Sequence, residues 1–178
     1  MKKFIKKANN DISDVIVATV TDGIDEWEEE LPVYEEDLEG LTLVDFDWCF
    51  KDAIQGSPTL EELNKLANDI EDLGQDEFYA FETYLAEVES DIGRAFEVAN
   101  NYEFSIYDDC YNIADFGGEY WTRNVDDLGI QIPDIIDDAL SYCMDWEKFG
   151  KYIESYIDST EIGVYPCFTK SNMYIEFF

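Results

Sequence analysis

The chain has 178 residues, of which 43 are aspartate or glutamate and 11 are lysine or arginine, and it contains no histidine. Hydrophobic residues make up 46% of it, which is enough to bury a core and excludes a disordered acidic tail. The formal net charge of −32 argues against nucleic acid as a partner, because phosphates would be repelled, and favours a basic surface.

The negative charge is spread evenly along the chain. Residues 8–56 have 15 acidic and one basic side chain, residues 57–100 have 12 and two, and residues 101–178 have 16 and four. The other four basic residues cluster in residues 1–7, and no apolar segment of the signal-peptide type follows them. No stretch has the length of a membrane span, so we expect a cytoplasmic protein. Self-repulsion of its charge favours an elongated shape.

Residues 1–56 are predicted to form a small sheet-rich module. Val15–Val20 is a β-branched run that is typical of a strand. Glu26–Glu39 is rich in acids and contains a proline, and we expect a short helix or loop there, at the rim of the sheet. Leu41–Val44 and Phe46–Phe50 resume strand character, the second with partial alternation.

Residues 57–100 are predicted to form a helical module. Three segments carry apolar residues at every third or fourth position, and short connections would make the helices neighbours. Ser57 is expected to cap the first helix, and Gly74 is expected to end it. Asp76 and Asp91 are expected to cap the second and third helices.

Residues 101–178 are predicted to form a mixed α/β module. It begins with Tyr102–Tyr107, whose side chains alternate as in a strand. The further predicted elements are a helix capped by Asp108 or Asp109 that continues to Trp121, a helix from Pro133, a helix over Asp145–Tyr156, and a hairpin of Val164–Phe168 with Met173–Phe177. The predicted class is therefore α+β, with three small modules in line: 1–56, 57–100 and 101–178.

Acidic side chains that face away from the apolar helix faces are the candidate partner-binding residues. Acids three or four positions apart on a helix repel each other by a few tenths of a kcal/mol per pair. Few oppositely charged pairs offset this repulsion, and Lys65 with Asp69 is nearly the only attractive pair that we recognise. We therefore infer that the negative charge serves the binding of a partner.

Duplex DNA has a comparable charge, because it carries one negative charge per ~1.7 Å of its axis. The net charge of −36 on residues 8–178 would match roughly 60 Å of duplex. Carboxylates on a folded scaffold could thus replace phosphates in the DNA groove of an enzyme. The residues proposed to do so are Glu28, Glu29, Glu35, Glu36, Glu62, Asp69, Asp72, Asp76, Glu82, Glu89, Asp108, Asp109, Asp115, Asp126, Asp127, Asp134, Asp137, Asp138, Glu154 and Asp158.

Motifs of catalysis and of metal binding are missing from the sequence. The four cysteines, at positions 49, 110, 143 and 167, are too scattered for a zinc site, and we expect them to be buried thiols. No nucleophile elbow, phosphate-binding loop or calcium loop occurs. We therefore predict neither an enzyme nor a bound cofactor or metal.

Two stretches resemble the ArdA family of antirestriction proteins. In Ser57–Phe96 the matching residues are Leu60-Glu61-Glu62-Leu63-Asn64, Leu66-Ala67, Tyr84-Leu85, Asp91-Ile92 and Ala95-Phe96. In Asn101–Phe178 the matching residues are Ile132-Pro133, Leu140, Tyr142, Asp145, Phe149-Gly150 and Tyr174-Ile175-Glu176. Together the two stretches cover about two thirds of the chain.

The resemblance implies three modules in line, a homodimer that forms a long curved rod, and mimicry of bent DNA. It implies type I restriction–modification enzymes as targets in a bacterial host, bound through their DNA-recognition subunit and methyltransferase core. Genes for such proteins travel on plasmids, conjugative elements and phages. Aromatic residues are enriched at protein contacts, and the residues predicted to form the dimer contact are Tyr142, Asp145, Trp146 and Phe149.

Two other functions stay open at this point. One is a DNA mimic that blocks another nucleic-acid enzyme of a defence system, such as a CRISPR effector. The other is an acidic adaptor that binds a basic protein without resembling DNA. Mimicry predicts carboxylates in a double row, whereas an adaptor predicts one compact patch.

Overall fold

The computed structural model describes residues 15–125, 139–140, 142–157 and 163–178. Its contacts divide the chain into two compact units, Met1–Asp72 and Leu73–Phe178. Both units contain helices and antiparallel strands, which confirms the predicted α+β class, whereas the arrangement in three modules stays a prediction. The basic cluster of residues 1–7 and the helix predicted from Pro133 lie outside the described residues.

The first unit contains a three-stranded antiparallel sheet. Its strands are β1 (Ile16–Thr21), β2 (Glu26–Leu31) and β3 (Thr42–Asp47), in the order β2-β1-β3. Alternate residues of a strand face opposite sides, and in β1 the side chains of Ile16, Ala18 and Val20 are completely buried. The central strand thus gives the sheet one packed face.

The structure corrects the prediction for Glu26–Glu39. Its first six residues form β2 instead of a helix or loop, and only Glu35–Leu38 form a short 3-10 turn. In β2 the half-buried or buried side chains of Trp27, Glu29 and Leu31 alternate with exposed glutamates. This alternation in burial is not evident from the sequence, because acidic residues occupy both faces of the strand.

Helix α1 (Leu60–Glu71) packs on the first sheet. Its N-cap is Thr59 instead of the predicted Ser57, because Thr59 and Glu62 form a capping box: Thr59 Oγ1 accepts from the Glu62 N–H, and the Glu62 carboxylate accepts from the Thr59 N–H. Asp72 ends the helix. Gly74 precedes the next helix instead of closing this one.

The second unit begins with two α-helices, α2 (Gln75–Thr83) and α3 (Ile92–Asn100), joined through a π-helical segment at Tyr84–Val88. Asp91 caps α3 as predicted, because its carboxylate accepts the Arg94 N–H at 3.0 Å. Asp76 does not cap α2, since it already lies in the first turn.

The second sheet is formed by β4 (Phe104–Asp108), β5 (Gly163–Pro166) and β6 (Met173–Phe177) in the order β4-β6-β5. All pairs are antiparallel, and the predicted hairpin of β5 with β6 is confirmed.

Two further α-helices, α4 (Ile113–Asn124) and α5 (Trp146–Ile157), belong to the second unit. The N-cap of α4 is Asn112, whose Oδ1 accepts two backbone N–H groups, instead of Asp108 or Asp109. Asp108 is still in β4, and Asp109 has a left-handed φ of 58°.

Helices cover both faces of the second sheet. On one face, the core contains Tyr107, Phe116, Ile153 and Val164 of β4, α4, α5 and β5, together with Cys110 of the loop between β4 and α4. On the other face, Tyr84 of the π-helical segment packs edge-on against Phe177 of β6 with ring centroids 5.6 Å apart. None of the helices in the described part of the chain combines the length and the hydropathy that a membrane crossing requires.

The cysteines are only partly as predicted. Cys110 and Cys167 are buried, but Cys49 and Cys143 are exposed. Burial raises the pKa of the Cys110 thiol to about 11, so this thiol is held in its protonated, unreactive form.

Candidate acidic interface

The outer face of the first sheet carries two rows of carboxylates. Edge strand β2 contributes Glu26, Glu28 and Glu30, and edge strand β3 contributes Asp45 and Asp47. All five residues are exposed. We call this set the acidic sheet face.

The strand register places the two rows on opposite sides of β1. Glu28 and Asp45 both pair with Thr19, and Glu30 and Asp47 both pair with Val17. A β-bulge beyond Thr19 changes the register of β3, and this brings the two aspartates onto the same face as the glutamates.

Standard sheet geometry gives the spacing of the rows. Neighbouring strands lie about 4.8 Å apart, so the two rows are about 10 Å apart, and successive acids in a row are ~6.8 Å apart. Both rows together provide one charge per ~3.4 Å of strand, which is half the linear charge density of duplex DNA.

Lys51 contacts the acidic sheet face. Lys51 Nζ lies 2.9 Å from Asp45 Oδ1 and also donates to the Phe46 carbonyl oxygen at 2.6 Å. The hydrogen bond from Lys51, helped by the Phe46 N–H, lowers the pKa of Asp45 below its usual range. Asp45 therefore stays ionised in mildly acidic solution, and the ion pair offsets its charge.

The turn between β1 and β2 adds charge at one end of the same sheet. Asp22 Oδ1 accepts the N–H groups of Ile24 and Asp25 at 2.9 and 3.1 Å. These two hydrogen bonds, with that of Asp25 the stronger, lower the pKa of Asp22. The turn thus fixes an ionised carboxylate close to Glu26.

The other basic side chains of the described residues are already occupied within the fold. Six of the seven basic residues that follow residue 14 make ion pairs; they are Lys51, Lys65, Arg94, Arg123, Lys148 and Lys151. Lys170 lies over the Tyr79 ring instead, 4.4 Å from its centroid. The view that Lys65 with Asp69 is nearly the only attractive helical pair was wrong, because Arg123 with Glu119 and Lys151 with Glu147 pair in the same way.

The residues predicted to replace phosphates are divided by the structure into four groups. Those that are exposed are Glu28, Glu35, Glu36, Glu62, Asp72, Asp76, Glu89, Asp108, Asp109 and Asp115. Those that are half-buried are Glu29, Asp69 and Glu154. Glu82 is buried. Those that lie outside the described residues are Asp126, Asp127, Asp134, Asp137, Asp138 and Asp158.

The predicted position of Glu82 was wrong, since only 1% of its surface is exposed. We expected it to lie on the solvent side of α2, opposite the apolar face. The consecutive residues Tyr79–Thr83 are all buried, so α2 has no solvent side along this part of its length. Its low amphipathicity is what a helix enclosed on all sides would show.

Glu29 is a second correction, because it faces the packed side of the first sheet. It pairs with the fully buried Ala18, and its Oε1 accepts the Trp27 indole N–H at 2.7 Å. Only Glu28 of the predicted residues lies on the acidic sheet face. The Glu29 side chain therefore lies in a different environment from the side chains of Glu28 and Glu30, which are exposed on the outer face.

Sequence reasoning missed the other four members of the acidic sheet face, Glu26, Glu30, Asp45 and Asp47. A partial signal for them was present, since acids alternate with aromatic residues in Glu26–Glu28 and in Asp45–Asp47, although Glu29 breaks the alternation in Glu26–Leu31. Reading Glu26–Leu31 as a strand would have placed three of the acids on one face.

The predicted dimer contact is partly occupied by internal packing. The rings of Trp146 and Phe149 meet edge-to-face at 6.0 Å, and Phe149 also meets Trp121 of α4 at 5.9 Å. Asp145 accepts the Lys148 N–H near the start of α5, while Tyr142 is 94% exposed. The dimer contact itself stays a prediction.

The described residues contain no group of three or more acidic, cysteine or histidine side chains arranged to hold a metal ion. Within each row of the acidic sheet face, the spacing of ~6.8 Å is too wide for shared coordination of one cation, since oxygen ligands lie about 2.0–2.6 Å from Mg²⁺ or Ca²⁺. No protein-family model matches the chain, and no curated protein matches it in sequence.

Proposed function

We propose that this protein is a DNA mimic that inhibits a DNA-binding defence enzyme of a bacterial host, with a type I restriction–modification complex as the target. The observation that carries the proposal is the acidic sheet face, where two rows of exposed carboxylates flank one strand. These carboxylates would occupy positions that phosphates take in the DNA groove of the enzyme.

The physical basis of such inhibition is long-range attraction. A DNA-binding groove is lined with basic side chains whose field draws in DNA, and the same field would draw in a molecule with a formal charge of −32. Because the attraction is shared among many carboxylates, no base-specific contact is needed. One inhibitor could therefore act on enzymes of different sequence specificity.

The choice of target rests on the resemblance to ArdA proteins, and so do the homodimer and the three-module rod. The even spread of charge supports a long binding surface, since every third of the chain has a large acidic excess.

The test is a competition experiment. The purified protein is added to a type I enzyme and its DNA at physiological salt, and cleavage is followed as the protein concentration rises. We expect inhibition at near-stoichiometric amounts. We also expect a steep loss of inhibition as salt is added, because binding releases counterions and added salt opposes this release and screens the charges.

A triple variant tests the role of the acidic sheet face. Changing Glu26, Glu28 and Glu30 to Gln should raise the half-inhibitory concentration about tenfold, since three exposed charge contacts of about 0.5 kcal/mol each amount to roughly 1.5 kcal/mol. The matched control removes the same charge elsewhere in the first unit, with Glu39→Gln, Asp52→Asn and Glu61→Gln. All three control residues are exposed.

The outcomes separate the target from the surface. If the wild-type protein does not compete, the type I enzyme is not its target. If it competes and both triple variants lose the same amount, net charge alone acts and the acidic sheet face has no special role. A single neutralisation that abolished inhibition would point to a discrete site.

An acidic adaptor is the second candidate, and one observation favours it. Glu26 and Glu30 are four residues apart in β2, so the longer row extends over only about 14 Å. A patch of this size suits a compact basic surface as well as a segment of a groove. Capture of a basic protein with no DNA-binding activity, released by the triple variant but not by the control, would favour the adaptor.

A further inference from the structure

A cavity of about 280 Å³ lies on the packed side of the first sheet. Its floor is apolar and is formed by Val20, Leu31, Leu38 and Leu60, which are all buried. The cavity belongs entirely to the first unit and lies on the opposite side of the sheet from the acidic sheet face. It is slightly smaller than the pockets that enclose drug-sized ligands.

Besides Val33 and Leu41, three polar or aromatic side chains also line the cavity. They are Trp27 and Glu29 of β2 and Asp37 of the 3-10 turn. The Trp27 indole N–H donates to Glu29 Oε1 at 2.7 Å, which holds the carboxylate beside the ring. Asp37 is exposed, whereas the floor is buried, so its carboxylate lies on the solvent side of the cavity.

The cavity has negative charge and no cation of its own. None of its lining residues is basic. The two lysines in the described part of the first unit pair elsewhere, Lys51 with Asp45 and Lys65 with Asp69. The described residues of the first unit therefore leave the negative charge of the cavity without a complementary cation.

The chemistry of the lining selects the kind of cation. An apolar floor suits an alkyl chain, and a half-buried tryptophan beside a carboxylate suits a planar cation that stacks on the ring. A guanidinium is more weakly hydrated than an ammonium and loses less on entering such a site. The volume has room for one side chain.

We propose that this cavity binds an arginine side chain of the protein partner, with the alkyl stem on the leucine floor and the guanidinium between Trp27, Glu29 and Asp37. The protein source of the arginine rests on the proposed function. The cavity and the acidic sheet face would then engage the same partner from two sides of one sheet.

The first arm of the test uses a small probe and no defence enzyme. N-acetyl-arginine N-methylamide is titrated into the ¹⁵N-labelled protein, and the Trp27 indole N–H resonance is followed, assigned by its loss in Trp27→Phe. We expect a saturable shift of this resonance. The citrulline analogue, which has the same shape and no charge, should cause none.

Matched variants localise the binding. Glu29→Gln keeps an acceptor for the indole N–H and should weaken probe binding about tenfold, since a charged hydrogen bond outweighs a neutral one by roughly 1.4 kcal/mol. Glu28→Gln removes the same charge from the outer face and should change binding less than about twofold. A resonance that does not move, equal binding of the citrulline analogue, or equal losses in the two variants would each overturn the proposal.

The second arm tests the source of the arginine. In the DNA-competition experiment, Glu29→Gln should raise the half-inhibitory concentration more than Glu28→Gln does. If Glu29→Gln weakens probe binding and leaves the competition unchanged, the occupant is a free guanidinium compound, and the assignment to a partner side chain is wrong. Failure of the probe to bind leaves the outcome for the acidic sheet face unaffected, so the two proposals fail separately.

Discussion

The two sheets of this protein have the same number of strands and use their acidic residues in opposite ways. Each is a three-stranded antiparallel sheet whose central strand pairs with both neighbours, β2-β1-β3 in one and β4-β6-β5 in the other. The first sheet has one packed face and one face with exposed carboxylates. The second sheet is packed on both faces, since Tyr84 lies against Phe177 on one side and Phe116 stacks on Tyr174 on the other.

Whether a sheet face is covered or open determines the role of an acidic residue on that face. Glu176 of β6 is half-buried, and its Oε2 accepts the Tyr107 hydroxyl at 2.7 Å, so it satisfies a buried polar group of the same unit. Glu28 lies on edge strand β2, on the open face of the first sheet, and is exposed. An acid on a covered face therefore contributes to the fold, and one on an open face is available to a partner.

The largest expected effect concerns the helices that cover the second sheet. A Cβ atom at Gly150 would overlap the Ile113 carbonyl oxygen, and one at Gly117 would lie 2.7 Å from the Trp146 carbonyl oxygen. Gly150→Ala must therefore push α4 and α5 apart, and we expect a loss of about 3 kcal/mol in the free energy of unfolding.

The matched control for this change is Gly118→Ala in α4, where a Cβ would meet no atom within 4 Å. Replacing a helical glycine by alanine at an open position stabilises by roughly 0.5–1 kcal/mol. Urea unfolding of both variants measures the contrast. If Gly150→Ala were as stable as Gly118→Ala, the second sheet would not be covered by a closely packed helix pair.

The second prediction compares the two acids directly. Glu176→Ala leaves the buried Tyr107 hydroxyl without its carboxylate acceptor, and it should lower the free energy of unfolding by about 1–3 kcal/mol. Glu28→Ala removes an exposed side chain and should change it by less than about 0.5 kcal/mol. Equal costs for the two changes, measured by denaturant titration, would end the distinction between covered and open faces.

The third prediction uses alkaline pH. Burial, followed by the hydrogen bond and the charge of Glu176, raises the pKa of Tyr107 well above its usual value of 10.0. A raised pKa means that the folded state favours the protonated hydroxyl, so this contribution to stability is complete below pH 10 and is lost as the pH rises beyond it. Tyr107→Phe should therefore lose less stability than the wild type between about pH 10 and pH 12. An unchanged pH dependence would show that Tyr107 ionises as freely as in the unfolded chain.

Local patterns were sufficient to predict much of the second unit. The β5–β6 hairpin, the cap at Asp91 and the helix that follows Asp145 all depend on residues close to one another in the sequence. The helix caps that were predicted wrongly depend on more than the identity of one residue. Ser57 and Thr59 both have capping side chains, and only the reciprocal bond with Glu62 decides between them.

The acidic sheet face could be predicted only in part, for a non-local reason. An acidic segment such as Glu26–Leu31 has low strand propensity by itself and becomes a strand because β1 pairs with it along six residues. The aspartates of β3 reach the same face only through a bulge. Glu82 was misplaced because its burial depends on distant elements that enclose α2.

The smallest expected effect concerns the charge that the acidic sheet face retains. The hydrogen bond from Lys51 is the largest cause of the lowered pKa of Asp45, and the Phe46 N–H is the next. Lys51→Met should therefore raise the pKa of Asp45 towards its usual value and leave part of the depression in place. A ¹³C-detected titration of the side-chain carboxyl group measures this pKa directly.

The folded state favours the ionised form, so the contribution of Asp45 to stability is present above its usual pKa of 3.8 and is lost as the pH falls through the lowered value. If Asp45 titrated identically in Lys51→Met and in the wild type, the lysine would not be held on the outer face, and Asp45 would carry its full charge towards a partner.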